Sequence, residues 1–284
     1  MKIKQYKLLF VEQLISIYGE VEADSFFYII LENKNNLRRI DLALNLDLEF
    51  SESEINLWNS ILEQLKLEIP IQYILGATSF FGLDFEVNKN VLIPRSETEE
   101  LVDWIIKDGL EVEKIENLKI LDIGTGSGCI AISLAKNIKN SDIFALDISE
   151  NVLTTARKNA IKNNVDISLI QKNILETNDL EQQFDIIVSN PPYVRNLEKN
   201  EIQKNVLENE PHLALFVDDN DALIFYRKIA ELAKINLSKN GKLYFEINQY
   251  LGKETIEVLK NLGFRNIELK KDIYGNDRMI KSQV

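Results

Sequence analysis

Residues 120–135, ILDIGTGSGCIAISLA, run an apolar strand into three alternate glycines and then straight into a helix. Few architectures accept that order. Ile120, Leu121 and Ile123 make the strand apolar on both faces, the habit of a parallel sheet covered by helices on either side. Gly124, Gly126 and Gly128 let the backbone approach a ligand closely, and the new helix presents free amides at its start. A nucleotide-like ligand is expected there. A dinucleotide turn places glycine or alanine three residues after the second glycine, and that place is Cys129, so the nicotinamide reading loses support. Asp147 ends the next apolar stretch, IFALDIS, about twenty residues further on, where a carboxylate can accept both hydroxyls of a ribose. Asp122, inside the strand, is expected to hydrogen-bond the loop or a ligand amine, because a buried carboxylate needs a partner.

The rest of the chain fits such a sheet. Strands are read at 119–123, 143–146, 167–170, 184–189 and 242–247, and helices at 96–108, 129–137, 152–163, 222–237 and 254–262. The stretch 265–280 reads as two strands joined by a turn at Tyr274-Gly275-Asn276. Ser96-Glu97-Thr98-Glu99 is the capping box that opens the first of these helices. The alternation predicts an α/β fold with a seven-stranded, mostly parallel sheet whose last hairpin adds an antiparallel strand. Up to residue 75 the pattern differs, with one glycine, Gly19, and one proline, Pro70. Apolar residues there recur at helical spacing, as in Ile55, Trp58, Ile61, Leu62 and Leu65, and Ser51 caps a helix with Glu54. Residues 1–78 are therefore read as a small all-helical domain. Residues 79–95, FFGLDFEV and VLI about Asn88-Lys89-Asn90, are read as a β-hairpin connector with a polar turn, which leaves 96–284 as the ligand-binding domain.

Composition excludes several classes. No apolar run approaches the roughly 20 residues that cross a bilayer. Glu12 and Gln13 interrupt the N-terminal apolar positions and no small-residue cleavage site follows, so a cytoplasmic location without membrane association is expected. One cysteine, Cys129, and one histidine, His212, leave no internal disulfide and no usual zinc set, and no metal is expected. A net charge of −12 opposes tracking along nucleic-acid phosphates and favours a small ligand or a basic protein partner. Among individual residues, Trp58 and Trp104 read as core, Cys129 as a small core-facing side chain, and His212 as a surface or loop-anchoring residue. Arg95 could meet an acidic or phosphate group, but the structural pairing with Glu97 or Glu99 is the one expected.

Asn190-Pro191-Pro192-Tyr193 follows directly on the strand FDIIVS. It therefore sits at the carboxyl end of a sheet strand, beside the crevice where ligands bind in open α/β folds. Two prolines fix the chain direction and remove donors, leaving nearby carbonyls as acceptors. A planar NH₂ group entering here can donate to the Asn190 side-chain oxygen and to the Pro191 carbonyl while the Tyr193 ring packs against its flat face. Such a nitrogen is a poor nucleophile because its lone pair is delocalised; two acceptors on its hydrogens raise its electron density and aim it at a methyl donor. Asn190, Pro191 and Tyr193 are thus the candidate catalytic residues, with Pro192 beside them in the substrate wall. Adenine also presents an NH₂ on a flat group, so N6 methylation of a nucleic acid shares the tetrapeptide. A non-catalytic module that only holds the ligand is the reading from another class, and Asn190 and Tyr193 argue against it.

Taken in order, PIQYILG at 70–76, FFG at 80–82, LIPRSETEELV at 92–102, DIGTGSG at 122–128, Asp147, NPPY at 190–193, ENEPHLAL at 208–215, Glu246-Ile247 and YGNDR at 274–278 resemble the release factor glutamine methyltransferase family, PrmC or HemK, over essentially the whole chain. The resemblance implies a Rossmann-like class I methyltransferase domain. It implies S-adenosylmethionine as methyl donor, leaving as S-adenosylhomocysteine, and methylation of N5 of the glutamine in the GGQ loop of class I peptide-chain release factors. By the same resemblance the helical domain helps grip the release factor, Gly124, Thr125, Gly126, Ser127 and Gly128 line the cofactor, Asp147 takes its ribose, and Asn190 faces both cofactor and substrate. Near the adenine the family commonly has aspartate followed by a bulky residue. This chain has Asn173-Ile174, and the asparagine still offers an acceptor to the adenine amine, so binding is expected to be retained. A ribosomal-protein glutamine would need identical chemistry and a different docking surface.

Overall fold

Helices α1 (Ile3–Tyr18), α2 (Glu20–Asn35), α3 (Arg39–Leu44), α4 (Glu52–Lys66) and α5 (Ile71–Leu75) occupy the start of the chain. The computed structural model describes residues 1–110 and 117–284. The cap of α4 is the one expected: Glu54 N donates to Ser51 Oγ at 3.3 Å, and Ser51 N donates to Glu54 Oε2 at 2.7 Å. The inner faces of the helices gather Phe10, Phe27 and Phe50 about Trp58, with ring centroids 4.8–5.7 Å from the indole, and Trp58 Nε1 donates to Asn35 Oδ1. These helices, Met1–Gly76, form one unit together with a segment from far along the chain, Lys204–Asn209. Lys204 Nζ lies 2.7 Å from Glu68 Oε1, and Asn209 Nδ2 donates to the Glu68 carbonyl.

The second unit, Ala77–Gln203 with Glu210–Val284, is built on a sheet. A hairpin, β1 (Ala77–Phe80) and β2 (Leu83–Glu86), precedes α6 (Ser96–Leu110), β3 (Leu118–Ile123), α7 (Cys129–Asn137), β4 (Ser141–Asp147) and α8 (Glu150–Lys162). Then come β5 (Ser168–Gln171), β6 (Phe184–Ser189), the short β7 (Val194–Arg195), the helix of the first unit, α9 (Lys204–Asn209), α10 (His212–Leu215) and β8 (Phe216–Val217). The chain ends with α11 (Ile224–Asn236), β9 (Leu237–Glu246), α12 (Gly252–Asn261), β10 (Arg265–Lys271) and β11 (Asp277–Gln283). Seven strands lie in the order β10-β11-β9-β6-β3-β4-β5. From β9 to β5 all pairs are parallel, and β11 runs antiparallel to both its neighbours. Successive strand residues feed two cores on opposite faces. Ile120, Ile186 and Tyr244 pack with α6 and α7, while Leu121, Ile187 and Leu243 pack with α11 and α12. The order reverses at β3, which lies between β4 and β6, so the loops leaving β3 and β6 part and open a crevice at their carboxyl ends.

Two expectations are corrected. The hairpin turns at Phe81-Gly82, with φ of 50° and 73° and Phe80 facing Leu83, rather than at Asn88-Lys89-Asn90. A two-residue hairpin turn needs positive φ at both central positions, which Gly82 adopts freely. Asn88-Lys89-Asn90 makes its own turn, with Val91 N donating to Asn88 O, and residues 91–93 form no strand. The hairpin also belongs to the sheet unit, not to a link between units. Asn159 of α8 accepts from Glu86 N at 2.6 Å and donates to Glu86 O at 3.0 Å, and Asn163 donates to Asp84 O. Phe80 and Phe85 are buried in the core beneath α6 and α7.

Candidate active site

A cavity of about 440 Å³ opens at the carboxyl ends of β3, β4 and β6, with Gly124, Gly126, Asp147, Asn173, Asn190 and Pro191 in its wall. Gly124 and Gly126 hold φ of +74° and +57°, and a Cβ built on either meets nothing within 4 Å. They serve the turn's conformation and leave the cavity side clear for a ligand. Gly128 serves packing as well, since a Cβ there would stand 2.9 Å from Ile132 Cδ1 and 3.2 Å from Ala156 Cβ, where α7 meets α8. Thr125 and Ser127 are buried and, with Gly128, lie outside the cavity wall. The Thr125 hydroxyl donates to Asp122 Oδ2 at 2.6 Å, the loop contact expected of that buried acid. Burial pushes the Asp122 carboxyl up to about 7, against the pull of the Thr125 hydrogen bond.

Asp147 ends β4 with its carboxylate braced by the loop it faces: Gly126 N donates to one oxygen at 3.2 Å and Ser149 N to the other at 3.1 Å. Burial raises its pKa while those amides hold it down. A carboxylate offers about four acceptor sites, so two amides leave room for hydroxyls. At Asn173 the side-chain oxygen accepts from Leu175 N at 3.1 Å, a local turn that holds the residue in the cavity wall beside buried Ile174. Open glycine backbone, a carboxylate with acceptor capacity and a neutral amide in one apolar-walled cavity suit a nucleoside with an uncharged base.

On the other side of the crevice, Ser189 ends β6 and donates its hydroxyl to Ile123 O at 2.7 Å, tying the tips of β6 and β3 together. Asn190, Pro191 and Pro192 line the cavity; Tyr193 does not. The Tyr193 ring packs against the core that holds Tyr226 and Phe245, and its hydroxyl donates to Glu246 Oε1 at 3.1 Å. Burial and the adjoining Glu246 carboxylate push the tyrosine pKa far up, so it remains a hydroxyl. Thr98 donates to Glu246 Oε2 at 2.6 Å, and Asn190 Nδ2 stands 3.4 Å from Thr98 Oγ1. Burial raises the pKa of Glu246, opposed by Thr98, Arg278 and Tyr193. Neither Thr98 nor Glu246 was expected at the site. Thr98 reads as part of a helix cap, whereas an acid closing the apolar run Leu243-Tyr244-Phe245 is a signal that sequence reading could use.

Other candidates resolve simply. Arg95 pairs with Glu210, not with Glu97 or Glu99: Arg95 Nη2 lies 2.6 Å from Glu210 Oε1, and Ile93 N donates to Glu210 Oε2. The Glu210 side chain is only 1% exposed, and a charge so deeply buried requires a cation. Burial pushes the Cys129 thiol up to about 12, so it is no thiolate. His212 is exposed and meets Phe216 edge-on. Trp58 and Trp104 are buried. Among the described residues no group of histidine, cysteine, aspartate and glutamate is arranged to hold a metal ion.

Comparison with known proteins gives the family. Residues 12–76 match the PrmC N-terminal domain, and residues 108–214 match the methyltransferase small domain. A release factor glutamine methyltransferase from Flavobacterium psychrophilum is 66% identical over 281 residues, 99% of each chain. The chain belongs to the release factor glutamine methyltransferase family. The release factor glutamine methyltransferase of Streptococcus pneumoniae is 42% identical, covering 99% of this chain and 98% of that one. A methyltransferase from Pyrococcus furiosus, 20% identical over 72% of this chain and 90% of its own, shares the fold with a TM-score of 0.51. The release factor glutamine methyltransferases are S-adenosylmethionine-dependent enzymes, and the mostly parallel seven-stranded sheet is that of the class I methyltransferases.

Proposed function

We propose that this protein transfers the methyl group of S-adenosylmethionine to the side-chain amide nitrogen, N5, of the glutamine in the GGQ motif of class I peptide-chain release factors. The observation that carries the reading is the direction of the Asn190 carboxamide, whose NH₂ is turned to Thr98, so that its oxygen is left for a donor entering the cavity. In this reading Gly124 and Gly126 admit the cofactor, with Thr125, Ser127 and Gly128 shaping the loop behind them. Asp147 takes the ribose hydroxyls and Asn173 the adenine amine. S-adenosylmethionine would supply a methyl group on a sulfonium that leaves as a neutral thioether without needing an acid, while the amide nitrogen loses one proton to water during or after the transfer.

The chain's own part is positioning. Asn190 Oδ1 and the Pro191 carbonyl accept the two hydrogens of the substrate amide, which aims its nitrogen and adds electron density to it. Pro192 holds the wall of the substrate side. Tyr193 stands behind that wall, its ring in the core and its hydroxyl anchored at Glu246. The helical unit contributes grip on the release factor, and the net charge of −12 suits a basic protein surface. Among the described residues no helix is long and apolar enough to cross a membrane, and a cytoplasmic location goes with a substrate used in translation.

The test is mass spectrometry of a release factor incubated with the protein and S-adenosylmethionine. The GGQ glutamine is expected to gain one methyl group. An unmodified release factor alongside a methylated ribosomal protein or nucleic acid would overturn the reading.

A further inference from the structure

A carboxamide is nearly symmetric in shape but useful here only one way round: oxygen, not NH₂, has to face the incoming amide. We infer that buried Glu246, acting through the Thr98 hydroxyl, is the positioning group that sets which end of the Asn190 carboxamide faces the cavity. The inference rests on the reading of Asn190 as acceptor for a substrate amide.

Hydrogen-bond polarity fixes the direction. Both carboxylate oxygens of Glu246 are occupied as acceptors. Glu246 takes the Thr98 hydrogen at Oε2, 2.6 Å, and the Tyr193 hydrogen at Oε1, 3.1 Å. Having given its one hydrogen away, Thr98 Oγ1 can only accept, and the group that meets it is Asn190 Nδ2 at 3.4 Å. Reversing Asn190 would set its oxygen against an oxygen with no hydrogen left to give. Thr98 and Glu246 are each 2% exposed, so no bulk water is at hand to relax that polarity. Arg278 offsets the charge of Glu246, and Tyr226 donates to its backbone carbonyl at 3.3 Å. One carboxylate thus controls both ends of the tetrapeptide, residue 190 through Thr98 and residue 193 directly.

The experiment uses the full-length protein with S-adenosylmethionine and a release factor. Thr98→Val and Thr98→Ala remove the hydroxyl, Thr98→Ser keeps it, and Glu246→Met removes the acceptors at similar length. Each of the first two is expected to lower kcat by about 10- to 100-fold. The KM for release factor and the Kd for S-adenosylmethionine should stay within about twofold, and Thr98→Ser should recover most of the rate. Combining Thr98→Val with Glu246→Met should lower kcat no further than Glu246→Met alone, because the Thr98 relay is already broken once its carboxylate is gone. Full kcat in Thr98→Val or Thr98→Ala overturns the inference, as does a Thr98→Ser enzyme as slow as Thr98→Val, or loss of cofactor binding in every variant, which marks a merely structural role. Should Glu246→Met fail to fold, the three Thr98 variants decide. A wild-type protein that leaves the release factor unmethylated defeats the proposed function instead.

Discussion

Among the described residues every buried polar or charged side chain, from Thr98 to Ser282, lies in the sheet unit, while the helical unit closes on Trp58 among Phe10, Phe27 and Phe50. The two interiors obey different rules. Removing aromatic area from water stabilises the helical unit without demanding more than shape and loose edge-on geometry. In the sheet unit a buried carboxylate has first to be stripped of water and then given partners: Glu210 has Arg95 and the Ile93 amide, Glu246 has Thr98 and Tyr193, while Asp122 has Thr125 on one oxygen and no hydrogen bond on the other. The contrast teaches that this chain accepts costly burial where orientation is needed and avoids it where bulk suffices.

The sharpest way to break that contrast is to delete one oriented group. Asn190→Ala is expected to lower kcat by at least about 10³-fold in a methyl-transfer assay while the unfolding temperature hardly moves; a loss below about tenfold would put the acceptor elsewhere. Trp58→Ala should do the opposite. Urea unfolding is expected to show a loss of about 3–5 kcal/mol, with affinity for S-adenosylmethionine unchanged in the protein that remains folded. A loss below about 1 kcal/mol would mean that the aromatic cluster is not what holds the helices together.

Asp122→Asn tests the cost of burial directly. The ordinary aspartate value of 3.8 rises to about 7 at this site, so the folded state holds the proton more tightly than the unfolded chain. Stability therefore falls as pH rises from about 4 towards 7, and the full deficit persists above that. Asparagine keeps an acceptor for Thr125 without the charge. Denaturant titrations should find the variant more stable by about 4 kcal/mol at pH 8, with the gain fading towards pH 4. An equal or lower stability at pH 8 would show the charge to be well matched. The smallest effect is expected at Asn173→Ala, a rise of about 3- to 10-fold in the calorimetric Kd for S-adenosylmethionine with little change in kcat. An unchanged Kd removes Asn173 from the cofactor site.

How legible each feature is follows from how far its cause reaches along the chain. Strand β6 and helix α7 have the bounds 184–189 and 129–137 that periodicity predicts, because their signals lie within one stretch of residues. The hairpin misleads because polarity at Asn88-Lys89-Asn90 resembles turn chemistry, whereas the true turn depends on positive φ at Phe81, an aromatic residue that does not advertise it. Arg95 has two acids nearby in sequence and chooses a third, Glu210, because only that one is buried where it needs a cation.

The order of amino acids by itself determined the alternation of strands and helices, the glycine turn, the acid at the next strand tip and the prolines that leave carbonyls bare, since each is a local consequence of backbone sterics and periodicity. Tertiary structure alone decided which loop residues reach the cavity, that Tyr193 turns its hydroxyl to Glu246, and which end of Asn190 meets Thr98. Those outcomes depend on hydrogen bonds between residues 53, 92 and 148 positions apart, and a donor's direction exists only once the sheet has brought its acceptor alongside.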